Sequence, residues 1–221
     1  MVLKERGIRK ALSIGILICI MFNCFSSVVV SAKQTKRVAL TFDDGPHPQA
    51  TEKILDLLDK YSVKATFFVI GFNAQQWPHI VEKEISQGHQ VGNHTYYHKH
   101  ANASNRKALE NDVGMTESFL CGELGYKTGI FRPPEGLCNE VVRSVAGQMN
   151  YSIILWDIDT RDWAHTSAEK MVANVKSNVK NGDIILFHDY VVGKSNTLEA
   201  LEIIIPWLIE EGYSLVTVSE L

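Results

Sequence analysis

The sequence has little cysteine. Of four in 221 residues, Cys19 and Cys24 fall in the first 32, leaving Cys121 and Cys138, and none stands in a C-x-x-C pair. Thiolate metal patterns of that type are therefore excluded. In an oxidising compartment the remaining two could pair, and the sequence alone leaves a disulfide and two separate thiols equally open. An excess of positive charge is also missing. Four of the 22 basic and one of the 25 acidic residues lie in positions 1–32, so the remainder carries 18 basic and 24 acidic side chains, a formal −6. That balance argues against nucleic acid as a partner. After residue 36 there is no linker, no low-complexity stretch, no internal repeat and no long apolar run. One domain is expected there, and 221 residues suffice for a sizeable core.

The one long apolar run is at the start. Lys4, Arg6, Arg9 and Lys10 precede a nearly uncharged stretch from Ala11 to Val30, and Val30-Ser31-Ala32 offers the small residues of a cleavage site. Residues 1–32 read as an export signal or, uncleaved, as a membrane anchor. Basic residues on its N-terminal side place the rest outside the cytoplasm in either case, secreted or attached to the outer face of the membrane.

From Lys36 onward strands alternate with helices. Arg37–Phe42, Ala65–Ile70, Gln90–Gly92, Gly129–Arg132, Tyr151–Trp156, Asp183–Phe187 and Ser214–Val218 read as strands. Helical spacing is found over Thr51–Tyr61, Trp77–Gln87, Asn105–Leu124, Glu140–Met149, from a Thr166/Glu169 capping box to about Lys180, and over Thr197–Glu211 with a bend at Pro206. Such alternation implies a parallel sheet covered by helices, open or closed as a barrel.

Five of these strands end in polar residues: Asp43 and Asp44; His94 and His98; Arg132 before two prolines; Asp157, Asp159, Asp162 and Trp163; His188 and Asp189. Active sites of α/β sheets and barrels form at the C-terminal strand ends, so these clusters would converge on one rim. Each has a plainer reading. Asp-Gly-Pro is a common turn, two histidines four apart are often surface residues, and a histidine at a strand end can be a satisfied core residue. Taken together, the five require every plain reading to hold independently.

The motifs "TFDDGP" (41–46), "HTYYH" (94–98), "RPPEG" (132–136), "DIDTRDW" (157–163) and "LFH" (186–188) resemble, in order and spacing, those of the polysaccharide deacetylases, the NodB-homology group or carbohydrate esterase family 4. The resemblance runs from about residue 36 to 221 and implies a catalytic domain over 33–221. The implied fold is a distorted (β/α) barrel of seven or eight strands. The implied activity is metal-dependent removal of N-acetyl groups from a polysaccharide. Asp44, His94 and His98 match the metal ligands. Such a donor set suits one divalent ion, zinc first, with cobalt, nickel or iron also compatible. Asp43 matches the general base and Arg132 the arginine that pairs with it. His188 matches the general acid and Asp162 the aspartate that tunes it. Leu186 and Trp163 match the acetyl pocket, and the backbone N–H at Glu135 matches an oxyanion donor. Many family members have tyrosine where this chain has Glu135, and this extra carboxylate is expected to shape substrate choice.

Peptidoglycan is the preferred substrate, because an exported chain without a carbohydrate-binding module meets its own wall first; chitin oligomers are compatible. The alternatives are a xylan O-acetyl esterase of the same family, a non-catalytic glycan-binding domain, and a two-histidine-one-carboxylate iron oxygenase. The last leaves Asp43, Arg132 and His188 unexplained. His47, His89, His100 and His165 match no required role and read as structural or surface residues.

Overall fold

The computed structural model describes residues 36–99 and 105–221. The leader or anchor expected over 1–32, the domain boundary after it, and His100 lie outside the described residues. Eight strands, all paired in parallel, form a curled sheet in the order β5-β4-β3-β2-β1-β7-β6, with β8 pairing β1 off this path. The strands are β1 (Lys36–Asp43), β2 (Thr66–Val69), β3 (Gln90–Asn93), β4 (Ile130–Phe131), β5 (Ser152–Ile153), β6 (Ile158–Asp159), β7 (Ile184–His188) and β8 (Tyr213–Leu215). Among the described residues no ladder joins β5 to β6, so the expected barrel is present in distorted, open form.

The central strands are apolar because both their faces are covered. Val38 to Phe42 is wholly buried, as is all of β2. On the outside lie α1 (Ala50–Lys60), α2 (Gly71–Gln76), α3 (Pro78–Ser86), α4 (Arg106–Gly122), α5 (Glu140–Gln148), α6 (Ala168–Asn178) and α7 (Thr197–Glu210). Ile54, Leu55, Leu57 and Leu58 give α1 its buried face. The Asn105 side chain accepts from Ala108 N to cap α4, and Asn139 accepts from Val142 N to cap α5.

β1 carries two neighbourhoods in one strand. Its first residues, Lys36 to Val38, pair with β8, and its last, Thr41 to Asp43, pair with β2. Along its other edge Asp43 stands in register with His188 of β7. The C-terminal end of β1 is therefore the centre of the rim.

Two expectations are corrected. The stretch Tyr151–Trp156 is not one strand: Ser152 and Ile153 pair with β4, the chain leaves the sheet, and Ile158 and Asp159 pair with β7. The six residues of α2 form a helix without helical spacing long enough to announce it. Thr166 and Glu169 form no capping box, because Ser167 is the residue before α6; a capping box does form at Thr217 and Glu220, beyond β8. The helix expected over Thr197–Glu211 is present as α7, with Pro206 inside it. Cys121 and Cys138 are free thiols.

Candidate active site

Asp43 ends β1 with its side chain buried. Arg132, immediately after β4, has no exposed surface and donates from Nη1 to Asp43 Oδ1 at 2.7 Å. The guanidinium is held on every side. Nη1 also reaches Thr41 Oγ1 at 2.9 Å, Nε donates to the Ile154 carbonyl at 3.2 Å, Nη2 donates to the Leu155 carbonyl at 3.0 Å, and the group lies 4.1 Å from the centre of the Phe68 ring. Burying two charges costs several kcal/mol each unless such bonds surround them. The break between β5 and β6 exists where these two carbonyls turn to Arg132. The other oxygen, Asp43 Oδ2, faces His94 Nε2 at 3.7 Å.

Asp44 departs from the strand with φ 76°, which swings its carboxylate away from that of Asp43. Its Oδ1 is 3.4 Å from His94 Nε2 and 3.3 Å from His98 Nε2. That oxygen is buried with no hydrogen-bond partner. His94 Nδ1 donates to the Arg132 carbonyl at 2.7 Å, which leaves the Nε2 lone pair pointing at Asp44. Ligand atoms of Asp44, His94 and His98 all lie within 4.8 Å of one another. One carboxylate oxygen without a donor and two imidazole nitrogens facing it are what a divalent cation needs. The residues fit the ion. Burial pushes the Asp44 carboxylate up, but the surrounding histidines outweigh it and hold the group below its usual range. Burial likewise opposes the charge on His94, but Asp43 and Asp44 prevail and raise it.

The loop bearing the histidines is fixed from behind. Asn93 Oδ1 accepts from Thr95 N at 2.8 Å, Asn93 Nδ2 donates to the Val113 carbonyl of α4, and Thr95 Oγ1 accepts from His98 N. Thr95, His98 and Glu135 share with Asp44 a left-handed backbone, φ 65°, 53° and 57° for the three. Each costs roughly 1–3 kcal/mol in a non-glycine residue, and such strain concentrates where side chains must be aimed.

His188 closes β7 on the other side of the cavity. Its Nδ1 donates to Asp162 Oδ1 at 2.8 Å, and its backbone N–H to Asp162 Oδ2 at 2.7 Å. Thr197 Oγ1 and the Trp163 N–H also donate to this buried carboxylate. Burial opposes protonation of His188, but its bond to Asp162 wins and the imidazole is raised to about 9.

Asp43, Asp44, His94, His98, Glu135, Trp163, Leu186 and His188 line one cavity of about 440 Å3, with Trp156 and Asp159 completing its wall. Of the ten residues singled out in the sequence, eight meet there, and Arg132 and Asp162 stand directly behind Asp43 and His188.

A family model described as polysaccharide deacetylase matches residues 31–154. The chain belongs to the polysaccharide deacetylase family. It is 44% identical to a peptidoglycan-N-acetylglucosamine deacetylase of Bacillus cereus, over 84% of this chain and 88% of that one. The structure of the peptidoglycan deacetylase PdaC from Bacillus subtilis superposes with a TM-score of 0.78 at 36% identity, covering 85% of this chain and 90% of that one. An acetyl xylan esterase from Clostridium thermocellum, solved with a cobalt ion, gives 0.77 at 34%, covering 84% and 89%.

This deacetylase chain uses several residues that no motif pointed out. Thr41 and Thr197 hold Arg132 and Asp162 from 91 and 35 residues away, and Asn93 braces the histidine loop. Trp156, the last residue of the run expected as a strand, instead lines the cavity and packs against Gly136.

Proposed function

We propose that this protein removes N-acetyl groups from peptidoglycan outside the cytoplasm, using one divalent cation, zinc first among the candidates. One observation carries the reading. A three-residue cation site lies between two differently supported proton-transfer groups, Asp43 on Arg132 and His188 on Asp162, in a single cavity.

Asp44, His94 and His98 would hold the cation, which supplies Lewis-acid polarisation of the acetyl carbonyl and brings the pKa of a water beside it towards ~7. Asp43 Oδ2 takes a proton from the attacking water, while Arg132 keeps Oδ1 engaged. Oxygen adds to the acetyl carbon, the carbon–nitrogen bond breaks, and the nitrogen leaves with a proton from His188. That proton sits on Nε2, because Nδ1 is committed to Asp162. The products are acetate and a free sugar amine. Leu186 and Trp163 supply the apolar wall for the acetyl methyl group. Glu135, at the mouth, biases the choice among glycans. Residues 1–32 serve as leader or anchor, supported by their basic-then-apolar order.

The test is acetate release from wall fragments, chitin oligomers and acetylated xylan, with and without chelator and added zinc. Release from wall fragments that is abolished by chelator and restored by zinc supports the reading. Release from acetylated xylan alone makes the protein an ester hydrolase on the same machinery. N-terminal sequencing of the chain recovered from cells tests cleavage after Ala32.

A further inference from the structure

Asp189 directly follows His188 at the end of β7 and takes no part in the hydrolysis described above. Its side chain is buried, and its Oδ1 has no hydrogen-bond partner. A carboxyl held in the interior with one oxygen unpaired is costly, and an apolar side chain of that size would pack without the cost. The group therefore does something that packing alone does not.

Its neighbours show what. The Asp189 N–H donates to the Asp43 carbonyl at 3.2 Å, one residue beyond the pairing of Asp43 with His188. The carboxyl then lies against Gly45, so close that a Cβ there would come within 1.9 Å of Oδ2 and 2.4 Å of Cγ. Thr51 of α1 aims it, donating from Oγ1 to Asp189 Oδ2 at 2.6 Å while accepting from the His47 N–H at 2.8 Å. The His47 ring stacks on Tyr190 with centroids 5.0 Å apart, which joins the loops after β1 and β7 at a second point. β2 lies on the opposite edge of β1 from β7. From that side the Gly45 carbonyl accepts from the Ile70 N–H at 2.9 Å, and the Asp44 carbonyl accepts from Asn73 Nδ2 at 2.8 Å. The turn through Asp44 and Gly45 is thus gripped between the β2–α2 connection and the Asp189 carboxyl.

That grip bears on a strained residue. Asp44 has φ 76°, a conformation that a residue with a Cβ keeps only where its surroundings impose it. Relaxation would rotate the carboxylate away from His94 Nε2 and His98 Nε2, now 3.4 and 3.3 Å from its Oδ1. We propose that Asp189 is a positioning residue for the cation site: its carboxyl, steadied by Thr51, bears on Gly45 and holds Asp44 in the conformation that aims Oδ1 at the two histidines. The inference rests on the cation site of the deacetylase reading. It adds that the strand bearing the acid also sets a cation ligand.

The experiment measures zinc affinity, by competition with a chromogenic chelator, in wild type, Asp189→Ala, Asp189→Asn and Thr51→Val, with thermal unfolding on the same samples. No substrate is needed, so the reading is independent of activity. Asp189→Ala should weaken zinc binding by about tenfold or more, the scale for groups that orient metal ligands. Asp189→Asn keeps the volume and an oxygen for Thr51, and should restore most of that affinity. Thr51→Val lies outside the catalytic cavity and should weaken zinc binding in a folded protein. Wild-type zinc affinity in Asp189→Ala overturns the inference. Should Asp189→Ala fail to fold, Thr51→Val decides: a lowered melting temperature with unchanged zinc affinity makes the contact structural only and overturns it too. Asp189→Asn binding zinc as weakly as Asp189→Ala also contradicts it. A wild type that binds no zinc overturns the cation site itself, and this inference with it.

Discussion

Arg132 and Asp43 form a buried ion pair at 2.7 Å, joining the ends of two strands that are not neighbours in the sheet. On the proposed mechanism the pair holds the general base in place. Replacing Arg132 with methionine keeps the volume but strands the Asp43 carboxylate in the interior. The expected cost is about 3–5 kcal/mol in denaturant unfolding, with loss of activity. A loss below ~1 kcal/mol would show that the pair adds little to the fold.

Asp162 sets the protonation of His188. With the imidazole raised to about 9, it is protonated below that pH and able to give its proton to the leaving amine. Activity therefore falls as pH rises through the folded-state value. A bound cation repels the imidazolium and moves this alkaline limb below about 9. Asp162→Asn removes the charge that raises the imidazole, so the limb should move further down. The kcat/KM profiles of the two proteins check this, and an unmoved limb would separate Asp162 from the acid.

Gly92 lies under the support of Arg132. A Cβ at this position would come within 2.4 and 2.5 Å of the Phe68 ring, which itself packs against the guanidinium. Gly92→Ala should cost ~1–3 kcal/mol through overpacking. It should also lower turnover more than it lowers cation affinity, since Phe68 backs the base and not the cation ligands. Thermal unfolding together with metal titration reads both effects.

Much of this rim was legible because each functional residue follows an apolar strand, and strand ends converge in parallel sheets. Asp43, His94, Arg132 and His188 could be placed from that rule and the family motifs. What stayed hidden depends on contacts between distant residues. The run Ile153 to Trp156 is uniformly apolar, so nothing local marks where it leaves the sheet; the cause is Arg132, which captures the Ile154 and Leu155 carbonyls. Thr41 and Thr197 look like ordinary buried hydroxyls until their partners are seen. The six residues of α2 are too few to show a helical period. The stack of His47 on Tyr190 joins loops some 140 residues apart, so His47 read only as a histidine without a role.

The central claim is that adjacent carboxylates have separate work: Asp44 holds the cation and Asp43 moves the proton. Bound zinc and turnover, measured on the same preparations of wild type, Asp43→Asn and Asp44→Asn, test it most directly. The account predicts that Asp43→Asn retains close to the wild-type zinc content while turnover falls by ~10²-fold or more. It predicts that Asp44→Asn loses zinc, and activity with it. Equal loss of zinc in the two variants, or full turnover in Asp43→Asn, would contradict it.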